Sequence, residues 1–176
     1  MPATMKAALL TARNAPLEIV QVPMPEITGD EVLVKVEANG LCFTDVQIWN
    51  GDHQPPGYPL IMGHEGIGKV VAVGPSATRL KVGDRVGVGY VHDACGHCRD
   101  CLTGGENYCP DFHATGYSVP GCFAEYVALR DQWANKIPES IDPIEAAPLM
   151  CAGAAAYASL KKTDVQPYRP LARLFS

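Results

Sequence analysis

Four cysteines close together constrain this chain more than anything else in it. Cys95, Cys98, Cys101 and Cys109 fall in a C-x2-C-x2-C-x7-C pattern. The stretch that holds them, Ala94 to Pro110, has few apolar side chains with which to build a core of its own. Four thiolates at this spacing suit a closed tetrahedral zinc site, because zinc imposes no d-electron geometry and is held in such sites by sulfur and imidazole. With four sulfurs no coordination position stays open, so the predicted role is structural and metal binding supplies the folding energy of the lobe. The alternatives at this point are two disulfides or four free thiols. His97 lies inside the lobe and is expected at the surface, since four sulfurs saturate the metal. A nucleic-acid zinc finger is disfavoured: no recognition helix is evident, and Asp100, Glu106 and Asp111 make the loop acidic.

Elsewhere the chain alternates with the two-residue period of half-buried strands. The pattern is clearest in Glu31–Ala38, where Val32, Val34, Val36 and Ala38 share one face. Further strands are predicted over Leu17–Val22, Gly68–Val73, Asp84–Val91 and Phe123–Leu129. Turn chemistry separates them at Pro23-Met24-Pro25, Thr28-Gly29-Asp30, Gly74-Pro75, Gly83-Asp84 and Pro120-Gly121. With 17 glycines and 15 prolines in 176 residues, short punctuated strands predict a barrel or sandwich in one domain. Two helices are expected. One is Asp45–Asn50, with Thr44 as N-cap and Gly51 closing it; the other is Ala152–Lys162, ending in the lysines a helix C-terminus prefers. A hydrophobic fraction of 47% and a net charge of −5 exclude a disordered acidic tail and give no reason to expect nucleic acid as a partner. No apolar run approaches the roughly 18 residues of a membrane span. Ala7–Leu10 is too brief for a signal-peptide core, so the expected location is the cytoplasm.

Cys42, His64 and Cys151 could hold a second metal, but they lie 22 and 87 positions apart. Such spacing says almost nothing, and a lone buried Cys or His is usually packing. Their contexts say more: Gly40-Leu41-Cys42-Phe43-Thr44-Asp45, Gly63-His64-Glu65-Gly66-Ile67-Gly68, Val82-Gly83-Asp84-Arg85-Val86 and Pro148-Leu149-Met150-Cys151-Ala152-Gly153. With the four-cysteine lobe, and in this order, these motifs resemble the zinc-dependent medium-chain alcohol dehydrogenases of the yeast and bacterial type, over about residues 5–166.

The resemblance implies a mainly β fold: a GroES-like, partly open β-barrel with short helices and a structural zinc lobe at 94–110, forming a catalytic domain over residues 1–166. It implies Cys42, His64 and Cys151 as ligands of a catalytic zinc, and Cys95, Cys98, Cys101 and Cys109 as ligands of a structural one, hence two zinc ions per chain. The family reaction is NAD-linked oxidation of an alcohol to an aldehyde or ketone, so a small alcohol or aldehyde is the implied substrate. Thr44 takes the place of the hydroxyl that accepts the alcohol proton, Asp45 that of the carboxylate orienting the ligand histidine, and Glu65 that of a glutamate near the metal. On the residues alone, Thr44 can also be a helix cap and Asp45 a first-turn acid.

The chain departs from the family in informative places. Gln47 stands where many members carry a histidine that relays the proton outward, and an amide cannot relay by changing charge. His53 replaces an aromatic that often narrows the alcohol pocket, and Tyr90 falls where another is common, so the pocket is predicted to differ in size and polarity. Cys122, where a small residue is usual, is read as packing. Gly66-Ile67-Gly68 lacks the third glycine of a dinucleotide fingerprint and runs on into strand residues. A Rossmann domain, and with it the NAD site, is therefore expected to be absent. Past Thr163-Asp164-Val165-Gln166-Pro167 the family pattern stops. Arg169, Pro170 and Arg173 do not suit a buried parallel strand, and residues 161–176 carry four basic and one acidic group against ten and 18 before them. The expectation is a divergent tail over 167–176, arising from a frameshift or truncation, on a catalytic domain without its cofactor domain. The alternative is a non-enzymatic zinc-binding or subunit-docking module. In either case the face that meets a cofactor domain in the family is expected to be apolar, favouring self-association or docking.

Overall fold

The computed structural model describes residues 3–163; the tail expected over 167–176 lies outside them. In chain order the strands are β1 (Thr4–Leu10), β2 (Leu17–Pro23), β3 (Glu31–Asn39), β4 (Leu60–Ile61) and β5 (Gly66–Val73), with helix α1 (Phe43–Asn50) between β3 and β4. There follow β6 (Arg85–Val88), β7 (Val91–Asp93), the one-turn helix α2 (Arg99–Leu102), β8 (His113–Ala114), β9 (Tyr126–Arg130) and β10 (Ala134–Lys136). Helices α3 (Pro143–Ala146) and α4 (Ala152–Lys162) complete the described chain.

The most clearly alternating segment of the sequence becomes the middle of the main sheet, whose order is β10-β6-β5-β3-β9, antiparallel throughout. The register between β3 and β5 shifts twice, at Leu33/Val34 and at Val36/Ala38. Such bulges bend a sheet and increase its twist, which is how a few short strands curl into a partly open barrel. They also modify the expected alternation. Val32 and Val34 join Val70, Val86, Val88, Val127 and Leu129 in the barrel core, yet Leu33 between them is fully buried too. Its burial follows from α3 and the turn at 147–150 packing over β3 and β5, with Ile67, Ala146 and Ala147 at their contact.

A second sheet, β2-β1-β4, joins the barrel through Phe123 and Ala124: the Ala8 N–H donates to the Phe123 carbonyl at 2.7 Å, and Ala124 bridges to Ala7. Those two residues are drawn to β1, so the strand predicted from Phe123 begins only at Tyr126. The predicted run Asp84–Val91 is likewise broken into β6 and β7. The break falls at Gly89-Tyr90, where the Tyr90 carbonyl accepts from the Thr115 N–H at 2.9 Å. Leu10, Ile48, Leu60 and Met62 pack α1 against this smaller sheet. Among the described residues no helix is long and apolar enough to cross a membrane.

Helix α4 spans the predicted Ala152–Lys162, and Gly51 closes α1 in the left-handed conformation, with φ 79°. The predicted start of α1 is corrected. Cys42, not Thr44, is the N-cap: its sulfur accepts from the Thr44 N–H at 3.5 Å, and the Asp45 carboxylate reaches back to the Cys42 N–H at 2.9 Å. Thiol and carboxylate together close a capping box two residues earlier than the hydroxyl could, so Thr44 lies inside the helix.

Candidate metal centres

In the lobe, α2 and the flanking turns bring the sulfurs of Cys95, Cys98, Cys101 and Cys109 within 4.8 Å of one another. None of the seven cysteines is in a disulfide. Backbone N–H groups point at the sulfurs: Cys98 N donates to Cys95 Sγ at 3.3 Å, Cys101 N to Cys98 Sγ at 3.4 Å and Cys95 N to Cys109 Sγ at 3.4 Å. Such donors stabilise thiolates. The N–H groups of His97 and Cys98 bring the Cys95 thiol down to about 6, whereas burial and the neighbouring sulfurs push Cys101 up to about 12. Four thiols so close cannot all ionise without a cation among them, and the geometry accepts one. Zinc–sulfur bonds of about 2.3 Å set the corners of a tetrahedron about 3.8 Å apart, and Cys95 Sγ lies 3.9 Å from Cys101 Sγ. His97, as expected, is exposed, its Nδ1 2.8 Å from the Cys95 carbonyl.

The second constellation is assembled from three distant parts of the chain. Cys42 caps α1, His64 lies between β4 and β5, and Cys151 immediately precedes α4. Their ligand atoms lie within 4.8 Å of one another, and the sulfurs of Cys42 and Cys151 are 3.7 Å apart, again the edge of a zinc tetrahedron. His64 is fully buried. Its Nδ1 faces Asp45 Oδ1 at 3.4 Å, an ion-pair contact longer than a formed hydrogen bond, and its Nε2 is buried with no partner at all. An orphaned imidazole nitrogen beside two sulfurs is a donor set that fits zinc.

The electrostatics of the three agree. Burial alone raises Cys42, but the Thr44 backbone and hydroxyl, His64 and Cys151 outweigh it and bring the thiol below its ordinary range. Burial lowers His64, yet Asp45 and Cys42 lift it above the usual imidazole value. Cys151 is pushed up to about 12 by burial and by the Cys42 sulfur, since a second thiolate there needs a counter-charge. Asp45, 1% exposed, ties the group together, because its Oδ1 also accepts from the Gly63 N–H at 3.3 Å. Gly63 is at φ 93°, with Phe123 filling the space a Cβ would take, so a side chain ahead of His64 is disfavoured twice over. Glu65 is buried behind Cys151, whose thiol its charge helps to raise.

Beside Cys151 opens a cavity of about 360 Å³ lined by Thr44, Gln47, Asp52, His53, Tyr90 and Cys151. The Tyr90 ring meets His64 edge-on, centroids 5.2 Å apart, and its hydroxyl is 3.2 Å from His53 Nε2. Burial, with Tyr117 and Cys151 nearby, pushes the Tyr90 phenol up to about 12, so it stays un-ionised. All the residues singled out at this site in the sequence thus surround one region. The sequence reading missed Tyr117, on which the His53 ring stacks at 4.2 Å and 8°; its only local signal is a turn following Gly116. Cys122 lies 2% exposed in the barrel core, with burial pushing its thiol up to about 12.

Residues 28–139 match the alcohol dehydrogenase GroES-like domain. The chain belongs to that family. An alcohol dehydrogenase of Moraxella sp. (strain TAE123) is 46% identical over 164 residues, 93% of this chain and 48% of that protein. A cinnamyl alcohol dehydrogenase of Sorghum bicolor superimposes with a TM-score of 0.83 at 34% identity, over 91% of this chain and 48% of that one. A thermostable alcohol dehydrogenase of Pyrobaculum aerophilum, solved with cobalt and zinc bound, gives 0.84 at 30% identity, over 93% and 50%. The GroES-like chain spans about half the length of these relatives, and it is of the zinc-dependent medium-chain type.

Proposed function

We propose that this chain is the zinc-binding catalytic domain of an alcohol dehydrogenase acting on a small alcohol or aldehyde, with Cys42, His64 and Cys151 holding a catalytic zinc and Cys95, Cys98, Cys101 and Cys109 a structural one. The observation that carries the reading is the sulfur pair at 3.7 Å beside the orphaned Nε2 of His64. The metals bound in the Pyrobaculum relative support it. A zinc ion held by two thiolates and an imidazole polarises an alcohol or carbonyl oxygen and lowers the pKa of the hydroxyl.

The chain's own residues supply the rest. Asp45 fixes His64 through Nδ1, leaving Nε2 as the ligand nitrogen. Thr44, on the wall of the cavity beside Cys151, takes the substrate hydroxyl proton on Oγ1 as it passes its own onward. Gln47, one turn further along α1, has no titratable group, so the proton leaves through water or another base. Glu65 is near enough to Cys151 to approach the metal site when substrate departs. The hydride acceptor of the family is NAD. No strand, glycine-rich turn and helix of the dinucleotide type occurs among the described residues, so turnover requires the half of the family's length that this chain does not span.

Metal analysis of the purified chain tests the reading. We expect two zinc ions, falling to one in Cys151→Ser. A single ion in the unaltered chain, lost in Cys98→Ser, would instead support a non-enzymatic zinc module. Docking or self-association is favoured by one observation: Leu149, Tyr157 and Leu160, on and next to α4, are 49%, 65% and 49% exposed. Sedimentation should show association rising with concentration, and a clean monomer at high concentration would count against it.

A further inference from the structure

The cavity beside Cys151 sets several hydrogen-bonding groups in a surface that is otherwise largely apolar. Sites for apolar ligands are walled mainly by hydrophobic side chains with a few polar groups among them. Here Thr44, Gln47, Asp52, His53 and Tyr90 all end in hydrogen-bonding groups, and Cys151 in a thiol. Two of these groups are held in place. The His53 ring lies flat on Tyr117, whose hydroxyl donates to the Gln54 carbonyl at 2.7 Å, and the His53 N–H donates to the Gln47 carbonyl at 2.9 Å. At the other end the Tyr90 ring is braced edge-on against His64. The His53 Nε2 to Tyr90 hydroxyl contact, 3.2 Å, joins the two into one polar wall.

That wall has capacity to spare. A phenol hydroxyl donates once and accepts twice, and the bond to His53 uses one of these. A plain alkyl chain laid along the wall would displace water from Tyr90, His53, Gln47 and Asp52 without replacing its hydrogen bonds, whereas a hydroxyl would replace them. Sites built to bond a substrate hydroxyl reject the analogue that lacks it far more strongly than apolar pockets reject one extra group. We propose that the His53–Tyr90 pair selects an alcohol bearing a second hydroxyl, a diol or polyol, over a monohydric alcohol of the same length. This rests on the reading that the Thr44 and Cys151 end of the cavity receives the reacting hydroxyl.

The test is binding to the zinc-loaded chain, read by calorimetry or ligand-detected NMR, with 1-propanol, 1,2-propanediol and 1,3-propanediol as probes and zinc counted in each sample. At least one diol should bind about tenfold more tightly than 1-propanol, a modest share of what enclosed hydroxyl-binding sites achieve because this cavity is open. In Tyr90→Phe, which keeps the ring against His64, and in His53→Phe, which keeps the stack on Tyr117, the preference should fall to within about twofold. With two zinc ions bound, equal affinity for all three probes, binding of none, or a preference that survives both substitutions overturns the proposal alone. One zinc ion and no alcohol binding overturns the reading of Cys42, His64 and Cys151 beneath it.

Discussion

Exchanging the Asp45 carboxylate for an amide separates what it does for the helix from what it does for the metal site. Its two oxygens serve three donors: Oδ2 accepts from the Cys42 N–H at 2.9 Å, while Oδ1 accepts from the Gly63 N–H at 3.3 Å and lies 3.4 Å from His64 Nδ1. Asp45→Asn keeps the shape but turns one accepting position into a donor. The amide nitrogen should take the Oδ1 position, because the bonds given up there are the longer ones. Hydrogen bonds to a charged group contribute about 1.5–3 kcal/mol, so we expect the metal-free protein to lose about 2 kcal/mol. With a urea m-value of about 2 kcal/mol/M, the unfolding midpoint falls by about 1 M. The same exchange leaves His64 without its acceptor, and loss of such a partner typically costs about 10–100-fold in metal affinity. Urea unfolding in the presence of a chelator measures the first effect, and competition of the zinc-loaded protein with a chromophoric chelator measures the second. A lower midpoint with unaltered zinc affinity would refute the orienting role and leave Asp45 as a cap of α1. An unaltered midpoint would mean that the bonds to Oδ1 do not stabilise the fold.

Gly63→Ala combines a left-handed backbone, about 1–2 kcal/mol for a non-glycine residue, with overlap of its Cβ on Phe123, about 1–3 kcal/mol. The urea midpoint should drop by about 1–2.5 M; a drop below about 1 M would mean that Phe123 yields freely, and an unchanged midpoint would refute the backbone cost as well. Alkylation at neutral pH, mapped by mass spectrometry, should modify Cys95 first in the zinc-free protein and Cys101 slowly, since their thiols lie at about 6 and about 12. Cys122 should react only on unfolding, zinc should protect the lobe, and uniform labelling of all seven thiols would contradict the N–H···S pattern. Burial holds His92 below the ordinary histidine range despite the lift from Asp93 and Glu31. Between its folded value and the unfolded value of about 6.5, the unfolded chain binds more protons, so stability rises with pH across that window and levels off above it. His92→Gln should flatten this slope, and a slope unaffected by the substitution would assign it to another group.

What could be read from the sequence was what is set locally. The lobe was legible because Cys95, Cys98, Cys101 and Cys109 are near neighbours, and a metal at that spacing needs no long-range packing. Gly51 and the lysines at 161 and 162 marked helix ends for the same reason. β1 was not legible: in Thr4–Leu10 the inward residues Met5 and Ala7 alternate with Lys6 and Ala8, so small alanines on both faces leave little contrast. The burial of Leu33 depends on α3, more than a hundred residues downstream, folding over the sheet. Cys42, His64 and Cys151 converge through the same long-range topology, which no spacing rule encodes, and the stack of His53 on Tyr117 is a meeting of two loops.

Thr44 shows why local chemistry alone could not assign roles at the site. In the sequence a threonine ahead of Asp45 suits a helix cap and a proton-relaying hydroxyl equally well in kind, and the two uses exclude each other when the hydroxyl is bound to backbone N–H groups. The fold gives the capping to Cys42 and Asp45, whose sulfur and carboxylate satisfy the Thr44 and Cys42 N–H groups. The Thr44 hydroxyl is then not engaged in capping α1, and Thr44 lines the cavity beside Cys151. A sulfur that both caps a helix and faces a metal site has to be anchored from the backbone side. The Asp45 carboxylate does this from the same residue that holds His64, so the start of α1 and the geometry of the site are one structural decision. Moving the cap to residue 44 would unmake both.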